Sequence, residues 1–116
     1  MNASLQTTSA EAHVELAVEI FSMLADATRV RILLALRGGE LAVGELSEAV
    51  GKTAPAVSQH LAKLRLARMV VARHEGTRVF YRRSDDHALQ LVLDAMHQAG
   101  HSLGLAVAHA EERANG

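Results

Sequence analysis

The apolar residues of this chain recur every three or four positions along most of its length, a spacing that predicts amphipathic α-helices. Five such segments begin near residues 8, 26, 43, 53 and 85. Between the fourth and the fifth, two runs rich in β-branched and aromatic residues appear, Met69–His74 and Arg78–Arg82. Glu75, Gly76 and Thr77 separate these runs, which predicts a β-hairpin. The pattern therefore predicts a mainly α-helical fold with one small hairpin.

Capping residues predict where several of these helices begin and end. Thr8 and Glu11 have the spacing of a capping box that would open the first helix. Asp26 and Thr53 suit the N-caps of the second and fourth helices. Gly51 follows the third helix and is expected to end it.

The length of 116 residues fits one folded domain. The last helix is expected to begin near Asp85 and to fade between residues 100 and 104. We therefore predict a flexible N-terminal segment at residues 1–9, a folded domain at residues 10–104 and a C-terminal tail at residues 105–116.

The composition narrows the class of protein. Hydrophobic residues make up 49% of the chain but aromatic residues only 3%, so the core depends on aliphatic side chains, and apolar helices of this kind favour association. Cysteine is absent, which excludes disulfides, thiolate zinc sites and cysteine nucleophiles. No signal peptide and no apolar run of about 18 residues is present. A cytoplasmic protein without a membrane span is expected.

Charge is distributed unevenly along the chain. Residues 52–83 hold eight basic residues and one acidic residue, a net charge of +7. The remainder holds four basic and twelve acidic residues, a net charge of −8. Such asymmetry inside one domain favours a polyanion bound at the basic region, although a solvated basic surface is the alternative.

Two short helices joined through residues 51–53 and followed by a basic hairpin predict a winged helix-turn-helix. The second of these helices has small and polar residues near its start, where they can approach base edges. Ser58 and Gln59 are candidates for base reading, because lysine and arginine contribute mainly phosphate contacts. The candidate DNA-binding residues are Thr53, Ala56, Ser58, Gln59, His60, Lys63, Arg65, Arg73, Gly76, Thr77 and Arg78.

Three stretches, "LADATRVRIL", "VSQHLAKLR" and "EGTRVFYR", resemble the ArsR/SmtB family of bacterial metal-responsive transcription factors. The resemblance runs from about Met23 to the last helix. It implies a winged helix-turn-helix protein that forms a homodimer through its terminal helices. It also implies binding to a palindromic double-stranded operator, usually as a repressor released by metal. One departure is Arg68, where the family commonly has glycine at the end of the recognition helix.

One class of metal site in this family uses two cysteines in the third helix. The matching stretch here is "ELAVGEL", in which Ala42 and Gly44 occupy the cysteine positions. Alanine and glycine offer no side-chain ligand, so a thiolate site for soft ions is excluded at this place.

A second class of family site lies on the last helix and is shared between two chains. Asp85 and His87 match its first half, and His101 matches its final histidine. The remaining family position falls on Gln98, and His97 stands one residue before it. The resemblance therefore implies metal ligands at Asp85, His87, His97 and His101, with the two halves joined across an antiparallel dimer.

The donor set leaves the ion open between Ni(II) or Co(II) and Zn(II). One carboxylate and several imidazoles without sulfur suit all three ions. The displaced histidine favours six-coordinate Ni(II) or Co(II) over tetrahedral Zn(II). His13 and His109 are potential additional ligands with unassigned roles, and Asp85 is equally suited to capping the helix.

Other functions are less well supported by the sequence. The chain has no cysteine, no glycine-rich phosphate loop and no nucleophile motif, so we predict that it is not an enzyme. The main alternative is a DNA-binding regulator that does not sense metal itself. Such a regulator would depend on an accessory protein or another signal, and it could act as an activator.

Overall fold

The computed structural model describes the backbone of residues 2–115 and the side chains of residues 9–105 and 110–114. Its α-helices are α1 (Asn2–Leu24), α2 (Ala27–Ala35), α3 (Val43–Val50), α4 (Ala54–Leu66) and α5 (His87–Asn115). Its strands are β1 (Leu41–Ala42), β2 (Val70–Glu75) and β3 (Arg78–Arg83), and a 3₁₀ turn covers Leu36–Gly38. The chain forms two compact units, divided between Asp85 and Asp86.

The predicted caps of α2 and α4 are confirmed. The Asp26 carboxylate accepts a hydrogen bond from the backbone N–H of Arg29 over 3.0 Å. The Thr53 hydroxyl accepts one from the backbone N–H of Ala56 over 3.3 Å. Each bond satisfies one N–H that the first helical turn leaves without a partner. Gly51 ends α3 with a φ of 67°, a conformation that glycine adopts without a Cβ clash.

The core of the first unit is formed by α2, α3, α4 and the sheet. Its fully buried side chains include Ile32, Leu33, Leu46, Val57, Leu61 and Leu64. Val57, Leu61 and Leu64 recur at helical spacing, so one face of α4 points inward. Burying each such side chain stabilises the fold by about 1.5–3 kcal/mol. The opposite face of α4 is thereby held at the surface.

The predicted hairpin is confirmed, and it belongs to a three-stranded antiparallel sheet with the order β1-β3-β2. In the hairpin Val70 pairs with Arg83 and Glu75 pairs with Arg78, which leaves residues 76–77 as the turn. Strand β1 pairs Leu41 with Tyr81. The sequence did not indicate β1, because two residues are too few to show a strand period.

Both terminal helices are longer than predicted. Helix α1 begins at Asn2, so the predicted start at a Thr8–Glu11 capping box is wrong, although the side chain of Thr8 lies outside the described residues. Backbone helix covers residues 2–9, for which a flexible segment was expected. Helix α5 continues past Gly100 and Gly104 to Asn115, because the alanine, glutamate and arginine residues that follow are strong helix formers. Within residues 2–115, none of the helices is both long enough and apolar enough to cross a bilayer.

Arg68 adopts the left-handed conformation that its position implied. Its φ is 60°, and within the described backbone Arg68 alone among the non-glycine residues has a positive φ. The N–H of Met69 then donates to the carbonyl of Leu64 over 2.9 Å, which closes the end of α4. Met69 and Val70 are buried immediately afterwards. This burial offsets the cost of a side chain at positive φ, roughly 1–2 kcal/mol.

Candidate DNA interface and metal-ligand positions

The surface face of α4 carries the predicted base-reading residues. Ser58 and Gln59 are exposed, and Lys63 and Arg65 are exposed further along the helix. All four lie off the buried stripe of Val57, Leu61 and Leu64. The helix can therefore present amide, hydroxyl and cationic groups together while its apolar face stays in the core.

Thr53 and Ala56 stand at the start of this helix. The Thr53 hydroxyl accepts the N–H of Ala56 as a cap, yet a hydroxyl keeps one proton to donate. Ala56 is half-buried and small. The helix start can thus approach another molecule closely, with the Thr53 hydroxyl as a donor.

His60 is on α4, but it faces α2. Its Nδ1 accepts a hydrogen bond from Nε of Arg29 over 3.2 Å, and it lies 3.8 Å from Oδ1 of Asp26. The side chain is 24% exposed. The backbone N–H of Arg29, and then His60, lower the pKa of Asp26. The structure therefore places His60 in a packed polar cluster, and its predicted DNA contact stays a prediction.

The tip of the wing is formed by Gly76 and Thr77. Gly76 has a φ of 61°, which a residue with a Cβ would adopt only with strain. Thr77 and Arg78 are exposed beside it. The guanidinium carbon of Arg78 lies 4.8 Å from the centre of the Phe80 ring. The tip therefore presents one arginine supported by an aromatic face.

Arg73, the other predicted arginine of the wing, is engaged by two carboxylates. Its Nε lies 3.0 Å and 3.1 Å from the two carboxylate oxygens of Glu40, and its Nη2 lies 2.6 Å from Oε1 of Glu40. Its Nη1 donates to Glu75 over 2.8 Å. Glu40 and then Glu75 raise the pKa of Arg73, and Arg73 in turn lowers the pKa of Glu40. The sequence did not indicate Glu40 as a partner of Arg73, because the two are 33 residues apart.

The histidines predicted as metal ligands lie on α5. His87 is the first residue of this helix, and Asp85 precedes it by two residues. A rise of about 1.5 Å per residue puts His87 roughly 20 Å from His101 along the continuous helix. His97 and His101 are four residues apart, so they share one face of the helix. The side chains of His87, His97 and His101 are all exposed.

Within the described side chains of one chain, no group of three or more His, Cys, Asp or Glu residues is arranged to hold a metal ion. The side chain of His109 lies outside the described residues. The donor chemistry of Asp85, His87, His97 and His101 fits a borderline divalent ion, since it combines one carboxylate with imidazoles. One helix cannot bring these four residues to a single ion.

Comparisons with known proteins place this chain among bacterial regulators. The family described as "Bacterial regulatory protein, arsR family" matches residues 26–71, from the cap of α2 into β2. The HTH-type transcriptional regulator KmtR of Mycobacterium tuberculosis is 58% identical over 87 residues, which cover 75% of this chain and 67% of that protein. The chain belongs to the arsR family of bacterial regulatory proteins.

Solved structures agree with this arsR-family membership. The antimony-specific transcriptional repressor AntR superimposes with a TM-score of 0.73 at 33% identity, covering 80% of this chain and 85% of that chain. The homodimeric winged helix-turn-helix DNA-binding domain Mb0332 of Mycobacterium bovis gives a TM-score of 0.68 at 30% identity, covering 78% and 83%. The winged helix-turn-helix prediction is confirmed. So is the prediction that the chain is not an enzyme, because its relatives are transcriptional regulators.

Proposed function

We propose that this arsR-family protein is a metal-responsive transcriptional repressor. In this proposal a homodimer binds a palindromic double-stranded operator through α4 and the wing, and Ni(II) or Co(II) at a site shared by two α5 helices changes its affinity. Zn(II) is the alternative ion. The observation that carries the proposal is that one chain has both an exposed polar face on α4 and exposed histidines on α5. The similarity to AntR, an antimony-specific transcriptional repressor, supports this type of regulation.

The DNA-binding part of the proposal assigns separate roles to the exposed residues. Ser58 and Gln59 would read base edges in the major groove, where an amide side chain can bond adenine through two hydrogen bonds. Lys63, Arg65 and Arg78 would contact phosphates and supply affinity that depends on salt. The hydroxyls of Thr53 and Thr77 would donate to the backbone at the helix start and at the wing tip.

The dimer is supported by exposed apolar side chains on both terminal helices. In the single chain, α1 exposes Val14, Leu16, Val18, Ile20 and Phe21, and α5 exposes Leu91, Met96, Leu103 and Leu105. Val14, Val18 and Phe21 recur at helical spacing and so share one face of α1, and an exposed apolar face of this kind favours association. Leu89 and Val92 are buried in the single chain, so Leu91 and Met96 are better placed to pair two chains. The homodimeric state of the Mb0332 domain is a parallel.

The metal site follows from an antiparallel pairing of two α5 helices. Such a pairing brings His87 of one protomer beside His97 and His101 of its partner, and a two-fold axis creates two equivalent sites. Asp85 would supply the carboxylate. When bound, the ion would supply coordination bonds that link the two chains.

The regulatory step is a shift between dimer shapes. Drawing His87 and His101 of different protomers together favours one arrangement of the two α4 helices, which must match successive major grooves to bind DNA. A coupling free energy of about 1–3 kcal/mol changes operator affinity by about 5–150-fold. We propose that metal lowers this affinity. The comparisons give no support to sensing through an accessory protein.

Operator affinity measured by fluorescence anisotropy tests the proposal directly. The metal-free protein is titrated onto labelled operator, and the titration is repeated with saturating Ni(II), Co(II) and Zn(II). A selective loss of affinity with one ion would support a self-contained sensor and would identify the ion. Tight binding that no ion changes would overturn metal sensing by this chain and leave its DNA-binding role intact.

A further inference from the structure

Five residues form a charged cluster around one face of the wing, and we call it the wing cluster. Arg73 and Glu75 are on β2, Arg78 and Phe80 are on β3, and Glu40 lies just before β1. Arg73 pairs with Phe80, and Glu75 pairs with Arg78, across the hairpin. Alternate residues of a strand share a face, so these four residues point to the same side of the sheet.

Arg73 uses all three of its guanidinium nitrogens within this cluster. Nε and Nη2 donate to Glu40, with a shortest distance of 2.6 Å, and Nη1 donates to Glu75 over 2.8 Å. The fork on Glu40 matches the planar geometry that a guanidinium would otherwise offer to a phosphate. The positive charge of Arg73 is therefore balanced by carboxylates of its own chain.

Arg78 differs from Arg73 in its contacts. Within the described residues its guanidinium makes no hydrogen bond or ion pair, and it rests 4.8 Å from the centre of the Phe80 ring. Arg73 stacks on the same ring at 4.7 Å. Phe80 thus connects an arginine held by carboxylates to an arginine with a free charge.

We propose that Arg73 is a positioning residue that fixes the wing and, through Phe80, the side chain of Arg78, and that only Arg78 of the two contacts a DNA phosphate. This inference rests on the proposed binding of DNA by the wing. It reassigns Arg73, which its position in the basic hairpin had suggested as a phosphate contact.

The alternative is that a phosphate displaces the carboxylates from Arg73. Displacement would break the bidentate contact with Glu40 and the bond with Glu75. It would also leave two carboxylates beside a phosphate, and like charges at short range repel. Arg78 can meet a phosphate without breaking an ion pair of its own.

The salt dependence of operator binding separates these two possibilities. Each phosphate neutralised by the protein contributes about 0.9 to the slope of log affinity against log salt concentration. Each homodimer carries two wings, so we expect Arg78→Gln to flatten the slope by about 1.8. The double variant Arg73→Gln/Arg78→Gln should then have the same slope as Arg78→Gln alone, because Arg73 affects phosphate binding only through Arg78. Arg37→Gln, at an exposed residue outside the wing, is the control for loss of one positive charge.

Two outcomes would overturn the proposal, and they can be told apart. A further flattening of about 1.8 in the double variant would show that the two Arg73 side chains of the dimer contact phosphates themselves. An unchanged slope for Arg78→Gln would remove the wing contact from the proposed function as well. Failure of the wild-type protein to bind operator would instead reject the proposed function as a whole.

A spectroscopic measurement on the wild-type protein tests the same point without any folding risk. The Nε–Hε resonances of the arginines are followed by NMR during titration with operator DNA, and the Arg73→Gln spectrum assigns one of them. In the complex, the Arg73 resonance is expected to keep its position and its slow exchange with solvent. The Arg78 resonance is expected to shift. A shift of Arg73 as large as that of Arg78 would overturn its positioning role.

Discussion

Nε of Arg29 on α2 donates a hydrogen bond to Nδ1 of His60 on α4 over 3.2 Å. The Nη1 of the same guanidinium donates to the carbonyl of Met23, near the end of α1, over 3.3 Å. One arginine therefore connects three helices. His60, although it is on the candidate recognition helix, helps to set how that helix is held.

His60 and its neighbour Gln59 should respond differently to truncation. We expect His60→Ala to lower the free energy of unfolding by about 1 kcal/mol, because it removes one hydrogen bond between helices. We expect Gln59→Ala to leave unfolding unchanged and to weaken operator binding by about 1–3 kcal/mol, through loss of a base contact. Urea denaturation and anisotropy measure the two effects. Loss of operator affinity without loss of stability in His60→Ala would contradict the structural role.

Arg68 provides a test of backbone strain. We expect Arg68→Gly to raise the free energy of unfolding by about 0.5–1 kcal/mol, since relief of about 1–2 kcal/mol of left-handed strain exceeds the entropy cost of glycine, about 0.5–1 kcal/mol. Arg68→Ala keeps the strain and removes only the long side chain. Equal stabilisation by both substitutions would assign the effect to the side chain and not to the φ of 60°.

The free energy of unfolding should fall in acid, and protonation of the Glu40 carboxylate should account for part of this fall. Arg73 holds the pKa of Glu40 below its ordinary value of 4.5. The ionised carboxylate therefore stabilises the folded state above that pH, and this contribution is lost as the pH falls through the lowered pKa of the folded state. We expect Glu40→Gln to make stability less dependent on pH below about 4.5. Chemical denaturation between pH 6 and about pH 3 measures this dependence.

The control for this experiment is Glu48→Gln. Glu48 is exposed on α3 and makes no hydrogen bond or ion pair among the described residues. The Glu48→Gln variant should keep the acid dependence of stability that the wild-type protein shows. An unchanged acid dependence in Glu40→Gln would show that the contact with Arg73 does not stabilise the fold.

The proposed metal site predicts that two variants, each without a metal response, complement each other in a mixed dimer. His87→Ala and His101→Ala should each lose the metal response and keep metal-free operator binding, because both residues lie outside α4 and the wing. A heterodimer of the two variants contains one intact pair, His87 of one protomer and His101 of its partner. We expect such heterodimers to recover one metal ion per dimer by calorimetry and part of the response by anisotropy.

The exposed hairpin residue His74 supplies the matched control. His74→Ala should keep the full metal response, since this side chain is on β2. If no mixture of the His87 and His101 variants recovers metal binding, the two residues do not share a site across the dimer. A normal response in both single variants would reject the α5 site altogether.

The parts of the fold that follow from short-range chemistry could be predicted from the sequence. Asp26 and Thr53 cap helices within three residues of their own position, and the apolar spacing of α4 is visible in one stretch of chain. Such features depend on neighbours in sequence, so one sequence is enough to show them.

Long-range pairs could not be predicted in the same way. Arg29 meets His60 across 31 residues, and Arg73 meets Glu40 across 33. Neither pair has a local pattern, because their partners are brought together only when the sheet and helices pack. The proposed metal ligands would depend on a second chain, and their positions therefore stay a prediction.

The burial of α5 changes along its length, and this has an evolutionary consequence. Ala88, Leu89 and Val92 are buried near its start, whereas every described side chain from Asp94 to Leu105 is exposed in the single chain. Substitutions around His97, Gln98 and His101 therefore cost little folding free energy. Under the proposed metal site, selection can therefore move a ligand by one position there, and the histidine at 97 beside a glutamine at 98 would be such a case.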